Sequence, residues 1–259
     1  MKPGVFSIQP VKETERISSF IRRAAERTSS GGALVALSGG VDSAVVGALC
    51  VRALGKGRVV ALLMPSDHTP PQDTTDARRI AEAWGVRRYE IPISRIVEAL
   101  IGASKVEGTR VAKGNVEARV RMTVLYYHAN SLGYLVAGTG DRSEALLGYF
   151  TKWGDGGADL FPIAHLYKTQ VRALGAHLGL PEEVFEKPAS PQLWPGQRAS
   201  DEIPADYEKL DVVLRCLFDQ KLGPSEAARR AGVALSVVQK VLEMHERTQH
   251  KRRTPPSLA

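Results

Sequence analysis

The part of the sequence that most constrains the fold is a glycine-containing loop between two apolar runs. The first run, residues 33–37, ends directly before the loop, and a helix-like apolar run begins at Ala44. Glycines let the backbone adopt positive φ and approach a ligand closely, and the free N–H groups at the start of a helix favour an anion. The sequence therefore predicts a strand, a phosphate-binding loop and a helix in succession. The loop reads Ser38-Gly39-Gly40-Val41-Asp42-Ser43.

Its polar side chains indicate which phosphate ligand it takes. Ser38 and Ser43 add hydroxyl donors, whereas the Asp42 carboxylate would repel a phosphate unless a divalent cation lay between them. We therefore expect a magnesium–nucleotide site. The loop is not a Walker A motif, because the only similar dipeptide, at residues 55–56, is followed by glycine. The chain carries no Rossmann fingerprint either: Gly138-Thr139-Gly140 begins like one, but Ser143 stands where the third glycine would be. The alternative is an ordinary glycine-rich turn capped by a serine.

Strand-like runs alternate with helix-like segments through the first two thirds of the chain. The strands are predicted at 33–37, 59–64, 89–93 and 134–137. Such βαβ order predicts an α/β fold with a doubly wound parallel sheet, whose ligands bind outside the carboxyl ends of the strands. The loops that follow Leu37 and Ala137 would then line the same edge.

The last third of the sequence changes character twice. Residues 187–207 contain four prolines, which is too many for a regular element, and predict a long lid-like loop. After Tyr207 the pattern is helical and predicts a C-terminal helical cap. Its last two helices could instead form a helix-turn-helix, but the second offers few side chains that read bases. We therefore favour the cap and expect no nucleic-acid partner.

Composition narrows the class of protein further. The 259 residues are 43% hydrophobic and 24% charged, as in ordinary globular proteins, and no run of 18 apolar residues occurs. Neither a membrane span nor a secretory signal is expected. Cys50 and Cys216 form no C-x-x-C pair, so we expect packed core thiols and a cytoplasmic location. The net charge of +7 favours anionic partners without choosing among them, and the basic run 250–253 is either a solvated tail or a contact.

The 38–43 loop resembles the S-G-G-x-D-S pyrophosphate loop of the N-type ATP pyrophosphatases, which cleave ATP between its α- and β-phosphates. Further motifs extend the likeness, so that nearly the whole chain resembles the ammonia-dependent NAD synthetase family. These motifs lie at 114–122, 138–144, 148–156, 166–169, 187–190 and 250–252. The resemblance implies one domain over 1–259, without a glutaminase domain. Its parts would be an adenine nucleotide alpha-hydrolase-like core at about 30–185, a lid-like loop at about 186–207 and a helical part at about 208–259.

The resemblance also implies a reaction: ATP adenylates the pyridine carboxylate of deamido-NAD with release of pyrophosphate, and ammonia displaces AMP to give NAD. The chain would thus be a C–N bond-forming ligase with ATP as co-substrate, Mg²⁺ as cofactor and a homodimeric assembly. A carboxylate is a poor acyl donor, so prior adenylation is chemically reasonable, and the charges on both substrates require cations and oriented N–H groups. The alternatives are another ATP pyrophosphatase, such as a tRNA thiolase or a GMP-synthetase-like enzyme, and a non-catalytic nucleotide-binding module.

The matching positions imply the site residues. Catalytic roles fall to Asp42, Lys152 and Lys168, and magnesium would be held by Asp42 and Glu144. Contacts to deamido-NAD would come from Arg119, Lys152, Asp159, His250 and Lys251. ATP would be bound by Ser38, Gly39, Gly40, Val41, Asp42, Ser43, Ala44, Val45, Thr139, Lys168 and Ser190. Two bland alternatives remain: Glu144 as an acid in the first turn of a helix, and Arg119 as a surface residue.

Two further sequence features concern the shape of the lid and the number of subunits, and neither decides it. Pro191 follows Ser190 where the family commonly has a small residue, so the lid could differ in shape. The helix predicted from about Asn115 to Leu132 carries apolar residues on more than one face. Either a second subunit or the rest of the same subunit would cover it.

Overall fold

A computed structural model of the chain describes residues 8–258. The start of the sequence, on which the expected lack of a secretory signal rests, lies outside these residues. The described part contains a four-stranded, all-parallel sheet in the order β3-β2-β1-β4. Its strands are β1 (Gly32–Ala36), β2 (Val59–Leu63), β3 (Arg87–Glu90) and β4 (Tyr134–Val136). The predicted α/β fold with a parallel sheet is confirmed.

Helices cover both faces of this sheet. The helices up to residue 185 are α1 (Pro10–Arg27), α2 (Val41–Leu54), α3 (Pro71–Trp84), α4 (Ser94–Gly102), α5 (Arg110–Leu132), α6 (Arg142–Leu147), α7 (Lys168–His177) and α8 (Glu182–Phe185). Alternate strand residues point to opposite faces, so Val35 packs in one core cluster with α1, α2 and α7, and Leu34 packs in another with α4 and α5. Burial on both sides explains why β1 and β2 are apolar throughout.

The third strand differs from its predicted position. We expected it at 89–93, and the structure has β3 at Arg87–Glu90, where all four residues are exposed at the edge of the sheet. An edge strand needs no apolar side chains, so its residues give a weak sequence signal. Ile93 is fully buried but lies beyond the strand, where its N–H donates to the Pro65 carbonyl (3.0 Å).

The C-terminal helices pack around a cluster of their own. Leu210, Val213 and Val241 are fully buried there, together with Leu147 of α6. The helices are α9 (Tyr207–Leu214), followed by a π-helical turn (Arg215–Asp219), α10 (Pro224–Ala231) and α11 (Leu235–Arg247). The division of the chain near residues 186 and 208 stays a prediction. Among the helices of residues 8–258, none is long and apolar enough to cross a bilayer.

Cys50 and Cys216 are both buried and unpaired by disulfide. Burial raises the pKa of the Cys50 thiol to about 12, so it stays protonated at neutral pH. The prediction of packed core thiols is confirmed.

Candidate functional site

A cavity of about 430 Å³ opens at the carboxyl ends of β1, β2 and β4. It lies where the strand order reverses between β1 and β4, which is the usual ligand crevice of a doubly wound sheet. One wall is the 38–43 loop, and another is the segment 137–139 after β4. Residues 187–194 of the predicted lid also line the cavity. The loops that the sequence placed at one edge do meet there.

The 38–43 loop is braced by its own serines. The Ser43 hydroxyl donates to the Gly40 carbonyl (3.0 Å) and accepts from the Ser38 N–H (3.2 Å). The Gly40 N–H donates to the Ser38 hydroxyl (3.3 Å). Gly39 has φ +81°, and a Cβ there would overlap the carbonyl oxygen of Asp73. Glycine is therefore required at this position both by conformation and by space.

Helix α2 presents its N-terminus to the cavity. It begins at Val41, and the Ala44 N–H donates to the Gly40 carbonyl (3.1 Å). The N–H groups of the first turn consequently have no acceptor within the helix and favour an anion. Ser38, Gly40, Val41 and Asp42 line the cavity. The remaining predicted ATP residues of this segment, Gly39, Ser43, Ala44 and Val45, are buried and do not line the cavity.

Three carboxylates surround the buried ammonium of Lys168, whose side chain is 1% exposed. The ammonium donates to Asp42 Oδ2 (2.7 Å) and Glu144 Oε1 (2.8 Å), and it lies 3.0 Å from Asp141 Oδ2. Asp141 and Glu144 also form the capping box of α6, since Asp141 Oδ1 accepts from the Glu144 N–H (2.8 Å). Glu144 therefore caps the helix, as the alternative expected, and its carboxylate also lies beside Lys168 at the cavity, whereas its role in holding magnesium stays a prediction.

The electrostatics of this group follow from burial and charge imbalance. Burial would lower the pKa of Lys168, but Asp141, Asp42 and Glu144 outweigh it and raise that pKa well above its usual value. Burial, together with the other carboxylates, raises the pKa of Asp141 and of Glu144. One ammonium therefore does not balance three acids, and the site favours further positive charge.

The residues present fit a divalent cation bound together with phosphate. Asp42 Oδ1 is buried without a hydrogen-bond partner, so one carboxylate oxygen remains for a ligand. Within residues 8–258, no group of three or more His, Cys, Asp or Glu side chains is arranged to enclose a metal ion. Mg²⁺ commonly binds through one or two carboxylates plus substrate phosphates, so such a cage is not needed.

A buried network fixes the start of α7, which carries Lys168. The Lys168 N–H donates to the Ser143 hydroxyl (3.0 Å), and that hydroxyl donates to Asp211 Oδ1 (2.6 Å). Asp211 Oδ2 accepts from both the N–H (2.9 Å) and the hydroxyl (2.8 Å) of Thr169. The C-terminal cap, through Asp211 of α9, therefore holds the lysine in place.

The glycine-rich segment 148–156 is held by the end of the chain. The Lys251 ammonium donates to the carbonyls of Gly148 (2.7 Å) and Phe150 (2.6 Å), and its side chain lines the cavity. Thr151 donates its hydroxyl to Asn115 Oδ1 on α5 (2.7 Å). This segment is therefore tied both to the C-terminus and to α5.

Four of the residues predicted to bind deamido-NAD do not line this cavity. Arg119 donates to the Lys152 carbonyl (3.3 Å), and the Lys152 ammonium lies 5.5 Å from the centre of the Trp153 ring. Asp159 accepts from the Val136 N–H (2.7 Å). His250 is exposed. Their contacts to a dinucleotide stay a prediction, whereas Thr139, Lys168 and Ser190 of the predicted ATP set all line the cavity.

The sequence indicated no site role for several residues that the structure brings to the cavity or to the Lys168 ammonium. Asp141 could have been found from its spacing, because an acid three residues before Glu144 is the signature of a capping box. Tyr207, whose hydroxyl is buried without a partner, lies with its ring 5.4 Å from the Lys168 ammonium. Nothing in the sequence indicated that Lys187 would meet Asp73.

Comparisons with a family model, with known relatives and with solved structures all point to the same family. Residues 13–255 match the NAD synthase family. The NH3-dependent NAD+ synthetase of Hyperthermus butylicus is 52% identical over 242 residues, which are 93% of this chain and 88% of that protein.

Two solved structures share the fold over almost their whole length. The NH3-dependent NAD synthetase from Campylobacter jejuni has a TM-score of 0.84 and 32% identity, with 98% of this chain and 100% of that chain covered. The NMN synthetase from Francisella tularensis has a TM-score of 0.87 and 31% identity, with 97% and 99% covered.

Proposed function

Because this chain belongs to the NAD synthase family, we infer that it is a ligase that amidates deamido-NAD to NAD with ATP and ammonia. The observation that carries the assignment is the pairing of a glycine-rich loop at a helix N-terminus with the Asp42–Lys168–Glu144 group beside it. That combination suits a polyphosphate that arrives with a divalent cation.

The reaction that we propose runs through an acyl-adenylate. A carboxylate oxygen of deamido-NAD attacks the α-phosphorus of ATP, and pyrophosphate leaves. Ammonia then attacks the acyl carbon, AMP departs with that carboxylate oxygen, and the nitrogen loses a proton to give the amide. Developing negative charge in both steps has to be met by fixed donors and cations.

The nucleotide half of the site supplies those donors. The N–H groups of the 38–43 loop and of the first turn of α2 would hold the phosphates, and the Lys168 ammonium would neutralise charge beside them. Thr139 and Ser190, which both line the cavity, would contact other parts of ATP. Asp42 and Glu144 would hold Mg²⁺, which when bound supplies charge neutralisation to the polyphosphate.

For the dinucleotide we propose Arg119, Lys152, Asp159, His250 and Lys251. The cations would pair with carboxylate or phosphates, and Asp159 would accept from hydroxyls. Lys152 is partly exposed, and its ammonium forms no ion pair with a carboxylate among the described residues. A free ammonium of this kind supports a role in binding the dinucleotide.

We further propose a homodimer that covers the outer face of α4 and α5. Tyr127 is 69% exposed and Leu100 52% exposed, and Tyr127 stacks edge-on against His128, whose ring is 5.8 Å from that of Tyr89. An exposed patch of this kind favours a protein partner. In analytical ultracentrifugation, we expect the wild type to sediment as a dimer and Tyr127→Lys to sediment as a monomer. Leu235→Lys, at an exposed site on α11, is the control.

The test of the function follows the carboxylate oxygen. Purified chain with MgATP, ammonium and deamido-NAD labelled with ¹⁸O in the carboxyl group should form NAD, AMP and pyrophosphate in equal amounts. One ¹⁸O should appear in AMP, and glutamine should replace ammonium poorly. A parallel reaction with nicotinic acid mononucleotide tests the substrate class suggested by the resemblance to an NMN synthetase.

Several outcomes would contradict the assignment. Pyrophosphate release only with tRNA or with XMP would assign the chain to another ATP pyrophosphatase. Faster turnover of the mononucleotide than of deamido-NAD would replace the proposed substrate. ¹⁸O in pyrophosphate, or none in AMP, would exclude the acyl-adenylate.

A further inference from the structure

Lys187, at the start of the predicted lid, bridges three separate parts of the chain. Its ammonium donates to the Gly39 carbonyl in the pyrophosphate loop (3.2 Å). It also donates to Asp73 Oδ1 (2.6 Å) and Asp76 Oδ2 (2.7 Å) on α3. A lysine ammonium has three N–H donors, and all three are used here. In this conformation Lys187 therefore has none left for a phosphate.

The acceptors of this lysine are buried. Asp73 is 5% and Asp76 2% exposed. Two glutamines complete the network: Gln192 of the lid donates to Asp73 Oδ2, and Gln72 donates to Asp76 Oδ1 (2.7 Å). Because a buried carboxylate without a partner is strongly unfavourable, the two aspartates hold the lysine, and with it the lid, against α3.

The bond to Gly39 fixes part of the pyrophosphate loop. A peptide unit is planar, so orienting the Gly39 carbonyl also orients the Gly40 N–H, which donates to the Ser38 hydroxyl (3.3 Å). The same stretch of loop lies against the backbone of Asp73, where only a glycine fits. Lys187 thus secures a close contact between the loop and the first turn of α3.

We propose that Lys187 is a positioning residue that ties the lid segment 187–199 to α3 and holds the pyrophosphate loop in shape for ATP. The proposal rests on the function proposed above, in which this loop holds the phosphates of ATP. It assigns Lys187 no contact with the reacting atoms.

The kinetic test compares Lys187→Met with Lys209→Met. Lys209 is an exposed lysine on α9 without a side-chain contact in the described part of the chain, so its replacement removes the same charge. We expect the KM for ATP to rise about tenfold or more in Lys187→Met, as for a lost charge-assisted hydrogen bond, with kcat and the KM for deamido-NAD changed less than about threefold. Lys187→Arg should recover part of the loss. A fall in kcat with an unchanged KM for ATP would overturn the proposal.

A second readout needs no catalysis. Arg198 is exposed in the lid, and its neighbour Ala199 is buried and bonded to the Ala189 carbonyl (3.1 Å). Tryptic cleavage at Arg198, followed by mass spectrometry without ATP, should be at least about fivefold faster in Lys187→Met than in Lys209→Met, because the lid opens more often. Trypsin does not cut before Pro188, so the substitution removes no cleavage site. Equal rates would refute the tie.

A milder variant covers the case in which Lys187→Met does not fold. Gln192→Ala removes only the lid amide from Asp73, and it should show the same two changes to a smaller extent. If the wild-type protein forms no NAD from ammonia, the proposed function is refuted. The comparison of cleavage rates would still show whether Lys187 ties the lid to α3. If the wild type is active, and if Gln192→Ala and Lys187→Met have the same KM for ATP and the same cleavage rate at Arg198 as the wild type, then the tie is refuted and the proposed function is not.

Discussion

The replacement Lys168→Met should strongly destabilise the folded protein. Methionine keeps much of the length of the side chain, so the change removes mainly the charge and the donors. The ammonium is 2.7 Å from Asp42 and 2.8 Å from Glu144, and it is 3.0 Å from Asp141. Removing one partner of a buried ionic group costs about 3–5 kcal/mol, because the remaining charges stay buried and unpaired. That is a large part of a typical stability of about 5–15 kcal/mol.

Equilibrium unfolding in urea measures this loss directly. It should be followed by circular dichroism with EDTA present, so that no divalent cation replaces the ammonium. Lys209→Met should differ from the wild type by less than about 0.5 kcal/mol, as is usual for exposed sites. A loss below about 1 kcal/mol for Lys168→Met would show that the three carboxylates do not depend on this lysine.

A compensating change tests the cause of the loss. Asp141→Asn removes one charge, yet its side-chain oxygen can still accept from the Glu144 N–H at the start of α6. Added to Lys168→Met, it should restore about 1–2 kcal/mol, because fewer unpaired charges remain buried. If the double variant is less stable than Lys168→Met, repulsion among the carboxylates is not the reason.

Three further outcomes are expected. Gly39→Ala should raise the KM for ATP about tenfold in initial-rate assays, because of its positive φ and the overlap with α3, whereas Gly57→Ala, in open space, should not. Lys152→Ala should weaken deamido-NAD use by about 1.5–3 kcal/mol in kcat/KM, and an unchanged value would return Lys152 to a surface role. Burial alone would raise the pKa of Asp76, but its hydrogen bonds to Lys187 and to a glutamine amide lower it. This stabilisation is present above the unfolded pKa and lost on acidification, so the Tm difference between wild type and Asp76→Asn should shrink from about pH 6 to about pH 3.

The sheet could be predicted because its central strands are buried on both faces. Such strands are continuous apolar runs, and β1 and β2 lie within one residue of where the runs predicted them. The predicted β3 began two residues late and ended three residues late, because an exposed edge strand has no such run and the buried Ile93 belongs to the loop that follows. The sequence pattern therefore predicted which strands are buried, and it did not predict the exposed strand.

In the candidate site, contacts between residues close in sequence could be predicted, and contacts between distant residues could not. The pyrophosphate loop is a contiguous segment whose glycines and serines brace one another, so its sequence alone indicated its shape. The tie at Lys187 joins side chains more than a hundred positions apart, and each of them alone resembles an ordinary surface charge. Asp73 and Asp76 are buried in the folded chain, and there Lys187 is the cation that pairs with both of them.

The 38–43 loop is held by two separate parts of the molecule. Its own hydrogen bonds and the core under α2 support it on one side, and Lys187 of the lid binds its Gly39 carbonyl on the other. A movement of Lys187 away from α3 would therefore break a hydrogen bond of the loop itself. Because all three N–H groups of Lys187 are used while the lid lies against α3, we expect the position of the lid and the geometry of the loop to be linked energetically, so that each stabilises the other.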